Sequence, residues 1–334
     1  MVTTPVETAP RRETSYVEAI REGIREEMER DERVFVLGED IGVYGGAFQV
    51  TEGLLDSFGE KRVIDTPLSE TAIVGAAVGA ALMGMRPVAE MQFADFIACA
   101  FDVITNFAAK SRYRTGLGVP LVVRGPSGGG VHGGPFHSQN PEAYFAHTPG
   151  LKIVQPATAY DAKGLIKAAI RDDDPVLYFE HKYLYRRIKE QLPAEDFVVP
   201  IGKAAIRRSG RDLSILTYGA MLWAALDAAT ALEAEGIDAE IVDLRTLMPL
   251  DQETIFDSVA RTGRVIILHE ATRTGGIGAE VAAVLAERCF EYLDAPPVRV
   301  TAPDTPVPFA PGMEEYFLPN AEKVCRAARA LVSY

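Results

Sequence analysis

Two hydrophobic rhythms alternate along this chain. Val17, Ile20, Ile24 and Met28 recur at helical spacing behind a Ser15-x-x-Glu18 capping-box pattern, which predicts an amphipathic helix ending near Arg30. Short apolar runs then predict strands at Val34-Phe-Val-Leu37, Val88-Ala-Glu-Met91, Val119-Pro-Leu-Val-Val123, Ile153-Val154 and Val176-Leu-Tyr-Phe179. Between them, helix-length segments fall at 71–84, 95–114 and 159–171. Such alternation implies an α/β fold built on a mostly parallel sheet covered on both faces.

The rhythm lapses over 181–200, through Lys182-Tyr-Leu-Tyr-Arg-Arg187 and a proline-punctuated stretch to Pro200. It resumes with strands near 213–218, 239–243, 264–269 and 298–301 and helices near 220–235, 251–260 and 278–291. The division expected is a frayed, disordered segment at 1–13, a first domain at 14–185, a linker at 186–200 and a second, smaller α/β domain at 201–334.

Composition narrows the partners. The chain has 334 residues, 48% of them hydrophobic, enough for large cores, and a net charge of −13 with a pI near 5.0. Phosphate backbones select basic surfaces, so nucleic acid is not an expected partner. The longest apolar run, Thr71 to Met85, is too short for a bilayer, and 1–13 lacks the character of a signal or transit peptide, so no membrane span and a cytoplasmic location are expected. Cys99, Cys289 and Cys325 are scattered without CxxC spacing and read as reduced core thiols rather than disulfides or zinc ligands.

The sharpest chemical signal is Glu70. It stands at the mouth of a helix of small and apolar residues, with no further ionisable group until Arg86. A carboxyl placed there faces desolvation, which favours a retained or shared proton and hence acid-base work. It also reads as a first-turn acid favoured by the helix dipole, with Ser69 as cap; the segment alone leaves both open.

A second signal is the loop 125–142, which carries six glycines together with His132 and His137 directly after a predicted strand. Ligands of open parallel sheets bind at the carboxyl ends of strands, and glycines let backbone and imidazole approach closely. No Lys-Ser/Thr follows the glycines, so a phosphate cradle is not indicated. His137, between Phe136 and Ser138, is the better catalytic candidate, and His147 in an aromatic helical context reads as structural. In the second domain His269-Glu270 and Gly275-Gly-Ile-Gly278 follow a strand, without a complete G-x-G-x-x-G.

Seven motifs then point one way: Gly38-Glu-Asp-Ile-Gly42, Thr66-Pro-Leu-Ser-Glu70, Glu90-Met-Gln-Phe-Ala-Asp-Phe96, His137-Ser-Gln-Asn-Pro-Glu-Ala143, Pro149-Gly-Leu-Lys-Ile-Val154, Tyr160-Asp-Ala-Lys-Gly-Leu165 and Val242-Asp-Leu-Arg-Thr246. In this order they resemble the beta subunit of the thiamine-diphosphate-dependent 2-oxo acid dehydrogenases, over roughly 14–334. Phe179-Glu-His-Lys, Arg186 and Met313-Glu-Glu-Tyr-Phe317 resemble the branched-chain enzymes more than the pyruvate ones, and a pyruvate or acetoin enzyme of the same mechanism is the alternative.

The resemblance implies a pyrimidine-binding domain followed by a transketolase C-terminal-like domain. It implies that Glu70 hydrogen-bonds N1' of the aminopyrimidine and so promotes loss of the cofactor's C2 proton. Leu68, Gln92 and Phe96 would flank that ring, and His137 would act around acyl transfer to lipoamide. The family holds the diphosphate through Mg²⁺ on a Gly-Asp-Gly segment, and this chain has none. The resemblance therefore implies an alpha subunit carrying the metal, an assembly of two alpha and two beta chains, and a lipoyl acyltransferase and a 2-oxo acid as further partners. It also implies a structural potassium ion at Leu121, Val122, Ala169, Asp172 and Asp174, where Asp174 replaces the usual Asn. The competing class is a non-catalytic α/β scaffold, in which Glu70 is a cap and the glycine loop a spacer.

Overall fold

The structure, a computed structural model, describes residues 11–334. The first half carries strands β1 (Arg11–Ser15), β2 (Val34–Gly38), β3 (Val63–Asp65), β4 (Arg86–Glu90), β5 (Val122–Ser127), β6 (Lys152–Val154), β7 (Val176–His181) and β8 (Lys189–Pro193). Its helices are α1 (Tyr16–Arg30), α2 (Leu54–Phe58), α3 (Glu70–Leu82), α4 (Ser111–Thr115), α5 (Glu142–Ala146) and α6 (Ala159–Arg171). The second half carries β9 (Ala205–Arg208), β10 (Leu213–Thr217), β11 (Ala239–Asp243), β12 (Thr246–Met248), β13 (Val265–Thr272) and β14 (Val298–Ala302). With them run α7 (Met221–Glu233), α8 (Gln252–Thr262), α9 (Ile277–Arg288), α10 (Pro311–Phe317) and α11 (Ala321–Val332).

Two mostly parallel sheets result. The larger has the order β12-β6-β7-β5-β4-β2-β3 and is parallel except at β12, which runs antiparallel to β6. The smaller has the order β14-β13-β10-β11-β9 and is parallel except at β9. Because β12 comes from the second half, the two halves are stitched at a sheet edge. Two buried apolar clusters cover opposite faces: one joins α1 and α6 to α7 and α11, and the other joins α3 and the segment after β4 to α8 and α9.

The opening helix forms as its caps direct. Ser15 accepts from the Glu18 backbone while the Glu18 carboxylate accepts from the Ser15 backbone, and Val17, Ile20, Ile24 and Met28 are buried. The expected helix over 95–114 is broken instead into a 3₁₀ stretch at Ala94–Ala100, a π stretch at Val103–Ala108 and α4. Ala94, Ile97, Ala100, Ile104 and Ala108 are buried there, so packing against α3 overrides regular helical spacing.

Two further expectations need correction. Residues 1–10 of the expected frayed segment lie outside the described residues, but 11–13 belong to β1, which pairs antiparallel with β8. The stretch 186–200 is accordingly ordered: β8 needs β1 to satisfy its backbone, and neither short polar strand announces itself by periodicity. Cys99 is exposed rather than a core thiol, because the face of the 3₁₀ stretch that carries it is left uncovered; Cys289 and Cys325 are buried.

A buried carboxyl links the two halves. Glu142 at the start of α5 is wholly buried and accepts from the hydroxyl of Tyr218, the residue after β10, at 2.8 Å. Burial pushes it up to about 7, and the Tyr218 hydrogen bond offsets only part of this. A carboxyl raised on folding contributes stability that is full below its unfolded range and is lost as pH rises through about 7. The change is on the order of 3 kcal/mol. Glu142→Gln is therefore expected to gain about that much relative to the wild type between pH 4.5 and pH 8 in chemical unfolding curves; parallel pH profiles would show that Glu142 titrates normally.

Candidate active site

Four parallel strands deliver the site residues from their carboxyl ends. Glu39 and Asp40 follow β2, Leu68 and Glu70 follow β3, Gln92, Phe93 and Phe96 follow β4, and the glycine loop with His137 follows β5. Asp40 has φ of 56°, a strained conformation for a non-glycine residue, and its carboxylate accepts from Gln92 Nε2 at 3.3 Å. The Phe93 and Phe96 rings meet edge-on at 5.7 Å between centroids. The His137 ring stands edge-on to both, at 4.6 Å from Phe93 and 5.6 Å from Phe96.

Glu70 opens α3 without help from Ser69, whose hydroxyl caps no backbone N–H and whose φ of −169° is extended. The capping arrangement considered from sequence is thus not formed. Glu70 is half-buried rather than enclosed, because the helix mouth lies open on the side where Leu68 is 79% exposed. Beside it lies a second carboxyl that sequence reasoning passed over. Glu39 is buried, neither of its oxygens has a hydrogen-bond partner, and burial followed by the charge of Glu70 raises it above the usual carboxylate range. Glu39 lies in the Gly38-Glu-Asp-Ile-Gly42 motif, but only the fold places it beside Glu70.

The floor of the site is ionic. Arg124, 1% exposed, bridges Glu90 and Glu180 across β4, β5 and β7, and Tyr185 donates to Glu180 at 3.0 Å. Burial raises Glu90 and Arg124 offsets it, so breaking either pair would leave an uncompensated buried charge. The far side of the glycine loop is tied down by Asp95, which accepts from the Gln139 backbone at 3.1 Å and its side chain at 2.9 Å. Its other oxygen and the Ser138 hydroxyl are buried without partners.

Leu68, Glu70, Gln92, Phe96 and His137 therefore all follow the carboxyl ends of the neighbouring strands β3, β2, β4 and β5 or lie in the loop beyond them, with Glu39, Asp40, Phe93 and Asp95 added by the structure. His147 is exposed at the end of α5 and touches none of them. A cavity of about 770 Å³ lies on the other side of the loop, lined by Asn140, Tyr144, Glu270, Gly276 and Phe317, and includes none of the five. An apolar edge, an aromatic wall and an uncapped carboxylate over a second, unpartnered one suit a flat heteroaromatic ring with both donor and acceptor nitrogens.

The expected potassium positions cluster near the loop joining α6 to β7, but their groups are engaged. Asp172 is paired with Lys152 at 2.6 Å and Asp174 with Arg112 at 2.6 Å. The Leu121 carbonyl accepts from Val176, the Ala169 carbonyl accepts from Asp172, and Val122 lies within β5. Among the described residues no group of three or more His, Cys, Asp or Glu is arranged to hold a metal ion.

The family model for the transketolase pyrimidine-binding domain matches residues 12–187, and that for the transketolase C-terminal domain matches 202–324. The 2-oxoisovalerate dehydrogenase subunit beta of Bacillus subtilis is 55% identical over 323 residues, covering 96% of this chain and 99% of the relative. The pyruvate dehydrogenase E1 component subunit beta of the same organism is 47% identical over 322 residues, with the same coverage. Among solved structures, a split-gene transketolase described as an inactive beta4 tetramer superposes with a TM-score of 0.78 at 25% identity, covering 96% of this chain and 98% of its own. With both domain models matched in order and more than half of its residues identical along nearly the whole of a relative, this chain belongs to the beta-subunit family of the 2-oxo acid dehydrogenases.

Proposed function

We propose that this chain completes, with an alpha subunit, the thiamine diphosphate site of a 2-oxo acid dehydrogenase acting on branched-chain 2-oxo acids. The observation that carries the reading is the uncapped Glu70 carboxylate, set beside Glu39 at the strand ends that also carry Leu68, Gln92, Phe96 and His137. Bound there, the cofactor supplies the electron sink for decarboxylation. Glu70 holds a proton at the pyrimidine nitrogen, Leu68 and Phe96 pack on the ring, Gln92 orients it, and His137 reaches the reacting carbon from the loop. The higher identity to the 2-oxoisovalerate than to the pyruvate relative supports the branched-chain assignment.

The missing half of the site supports a partner chain, with Mg²⁺ and the diphosphate held there and two alpha chains joined to two of these. Ala72, Ala76, Gly79, Leu82 and Met83 of α3 and its end are exposed, and Phe107, on the π stretch packed against α3, is 54% exposed. An apolar face of this kind suits burial against another subunit. Transfer of the acyl group to a lipoyl acyltransferase and a cytoplasmic location complete the reading; among the described residues no helix is long and apolar enough to cross a membrane. For potassium at Leu121, Val122, Ala169, Asp172 and Asp174, the seat would be mainly carbonyl oxygens, since Lys152 and Arg112 already neutralise the carboxylates.

Calorimetry of the isolated chain is expected to show thiamine diphosphate binding no tighter than about 1 mM, a partial pocket's worth of affinity. Adding the alpha subunit should bring tight, Mg²⁺-dependent binding and turnover of 2-oxoisovalerate over pyruvate and 2-oxoglutarate. Micromolar affinity of the chain alone would overturn the shared site, and preference for pyruvate would move the assignment to the alternative substrate.

A further inference from the structure

Six glycines between 125 and 134 make a segment with high backbone freedom in the unfolded chain, yet His137 must be presented in one place. The loop closes on itself through the Gly128 N–H donating to the Gln139 carbonyl at 3.0 Å, and the rest of its hold comes from outside. Lys182 donates to the Gly128 carbonyl at 2.5 Å, Glu270 accepts from the Gly129 backbone at 2.6 Å, and Glu314 accepts from the backbones of Gly130 at 2.9 Å and His132 at 3.2 Å. Glu314 also meets His132 Nδ1 at 2.7 Å. Glu270 is itself fixed by His181 Nε2 at 2.8 Å and by the Asn140 amide at 2.9 Å.

Both carboxylates come from the second domain, Glu270 from β13 and Glu314 from α10. Their reach depends on the glycines. A Cβ at Gly128 would lie 1.9 Å from the His181 ring and one at Gly130 2.8 Å from the Tyr183 ring, with φ of 84° and 79°. The loop backbone is thus pressed onto the His181 and Tyr183 rings, and a Cβ at Gly129 would come within 3.1 Å of the Glu314 carboxylate. Burial alone would raise Glu270, but the charge of His181 and the hydrogen bonds from His181, Gly129 and Asn140 hold it at about 2, so it is ionised throughout the working range.

Glu314 is the revealing member. It is 1% exposed, and no Lys or Arg pairs with it among the described residues; its polar partners are two loop amides and His132. From His132 the chain makes one 3₁₀ turn at Gly134–Phe136 to reach His137, and beyond it Gln139 is held by Asp95. The ring between Phe93 and Phe96 is therefore fixed at both ends, upstream by Glu314 and downstream by Asp95.

We propose that Glu314, supported by Glu270, is a positioning residue for His137: the second domain sets the imidazole of the first through the glycine loop. The proposal rests on the reading that His137 serves acyl transfer. Glu314→Ala and Glu314→Gln are to be assembled with the alpha subunit and compared by amide hydrogen exchange over 128–139 and by single-turnover acyl transfer per cofactor-occupied site. Exchange over the loop should rise about tenfold or more in Glu314→Ala, and transfer should fall about tenfold to a hundredfold at unchanged KM for the 2-oxo acid, the scale of a misplacement near 1 Å. Glu314→Gln, which keeps one acceptor oxygen, should recover part of both and serves if Glu314→Ala does not assemble. A merely structural role would lower the melting temperature and the number of occupied sites but leave turnover per site unchanged, which would overturn the proposal, as would wild-type exchange over 128–139. His137→Ala, run in parallel, separates the two readings: undiminished transfer there refutes the role of His137, while loop exchange in the Glu314 variants still tests the clamp.

Discussion

Replacing His137 by Ala is expected to depress transfer of the acyl group to a lipoyl domain by about two to four orders of magnitude while leaving cofactor affinity within a few fold. The separation follows from where the ring stands. The His137 ring stands edge-on to Phe93 and Phe96, and under the proposed reading its loss would remove a group beside the reacting carbon rather than a wall of the cofactor pocket. His132 has a different place. Its φ of 60° and its contact with Glu314 fix it as a loop anchor. Single-turnover transfer with lipoyl domain in excess decides the matter: equal rates for wild type and His137→Ala would return the loop to a structural role.

Glu70→Gln is expected to keep the fold yet slow exchange of the cofactor's C2 proton by at least about a hundredfold, the scale of losing one acid-base group. The fold should survive because Glu70 is only half-buried and α3 has no side-chain cap to lose. The chemistry should not, because an amide cannot share a proton with a ring nitrogen. Glu39 strengthens the case: the charge of Glu70 raises a neighbouring buried carboxyl, so the neutral variant should also let Glu39 ionise more readily. Hydrogen-deuterium exchange at C2 in the reconstituted variant is the measurement, and a wild-type rate would reduce Glu70 to a helix-terminus acid.

Which features are legible in the sequence follows from the range of the forces involved. The opening helix α1, α6 over Ala159–Arg171 and the alternation into two mostly parallel sheets were written locally, in capping residues and in apolar periodicity. Glu70 stood out because an isolated carboxyl among small residues is a local anomaly, and the loop because its glycines and histidines are contiguous. By contrast β3, β9 and β12 are three or four residues long and exist only because distant strands offer them hydrogen bonds, as β1 and β8 do for each other. The helix expected over 95–114 broke because burial against α3 outweighed local propensity.

The chain by itself thus determined the class of fold and the two-domain order, and it singled out Glu70 and His137 as candidates. Only the tertiary structure put Glu39 beside Glu70 and brought Glu270 and Glu314 across 141 and 184 positions to grip the glycine loop. Periodicity records which face of an element meets the core, whereas the partner of a buried charge is chosen by desolvation, which acts only once distant segments have closed around it.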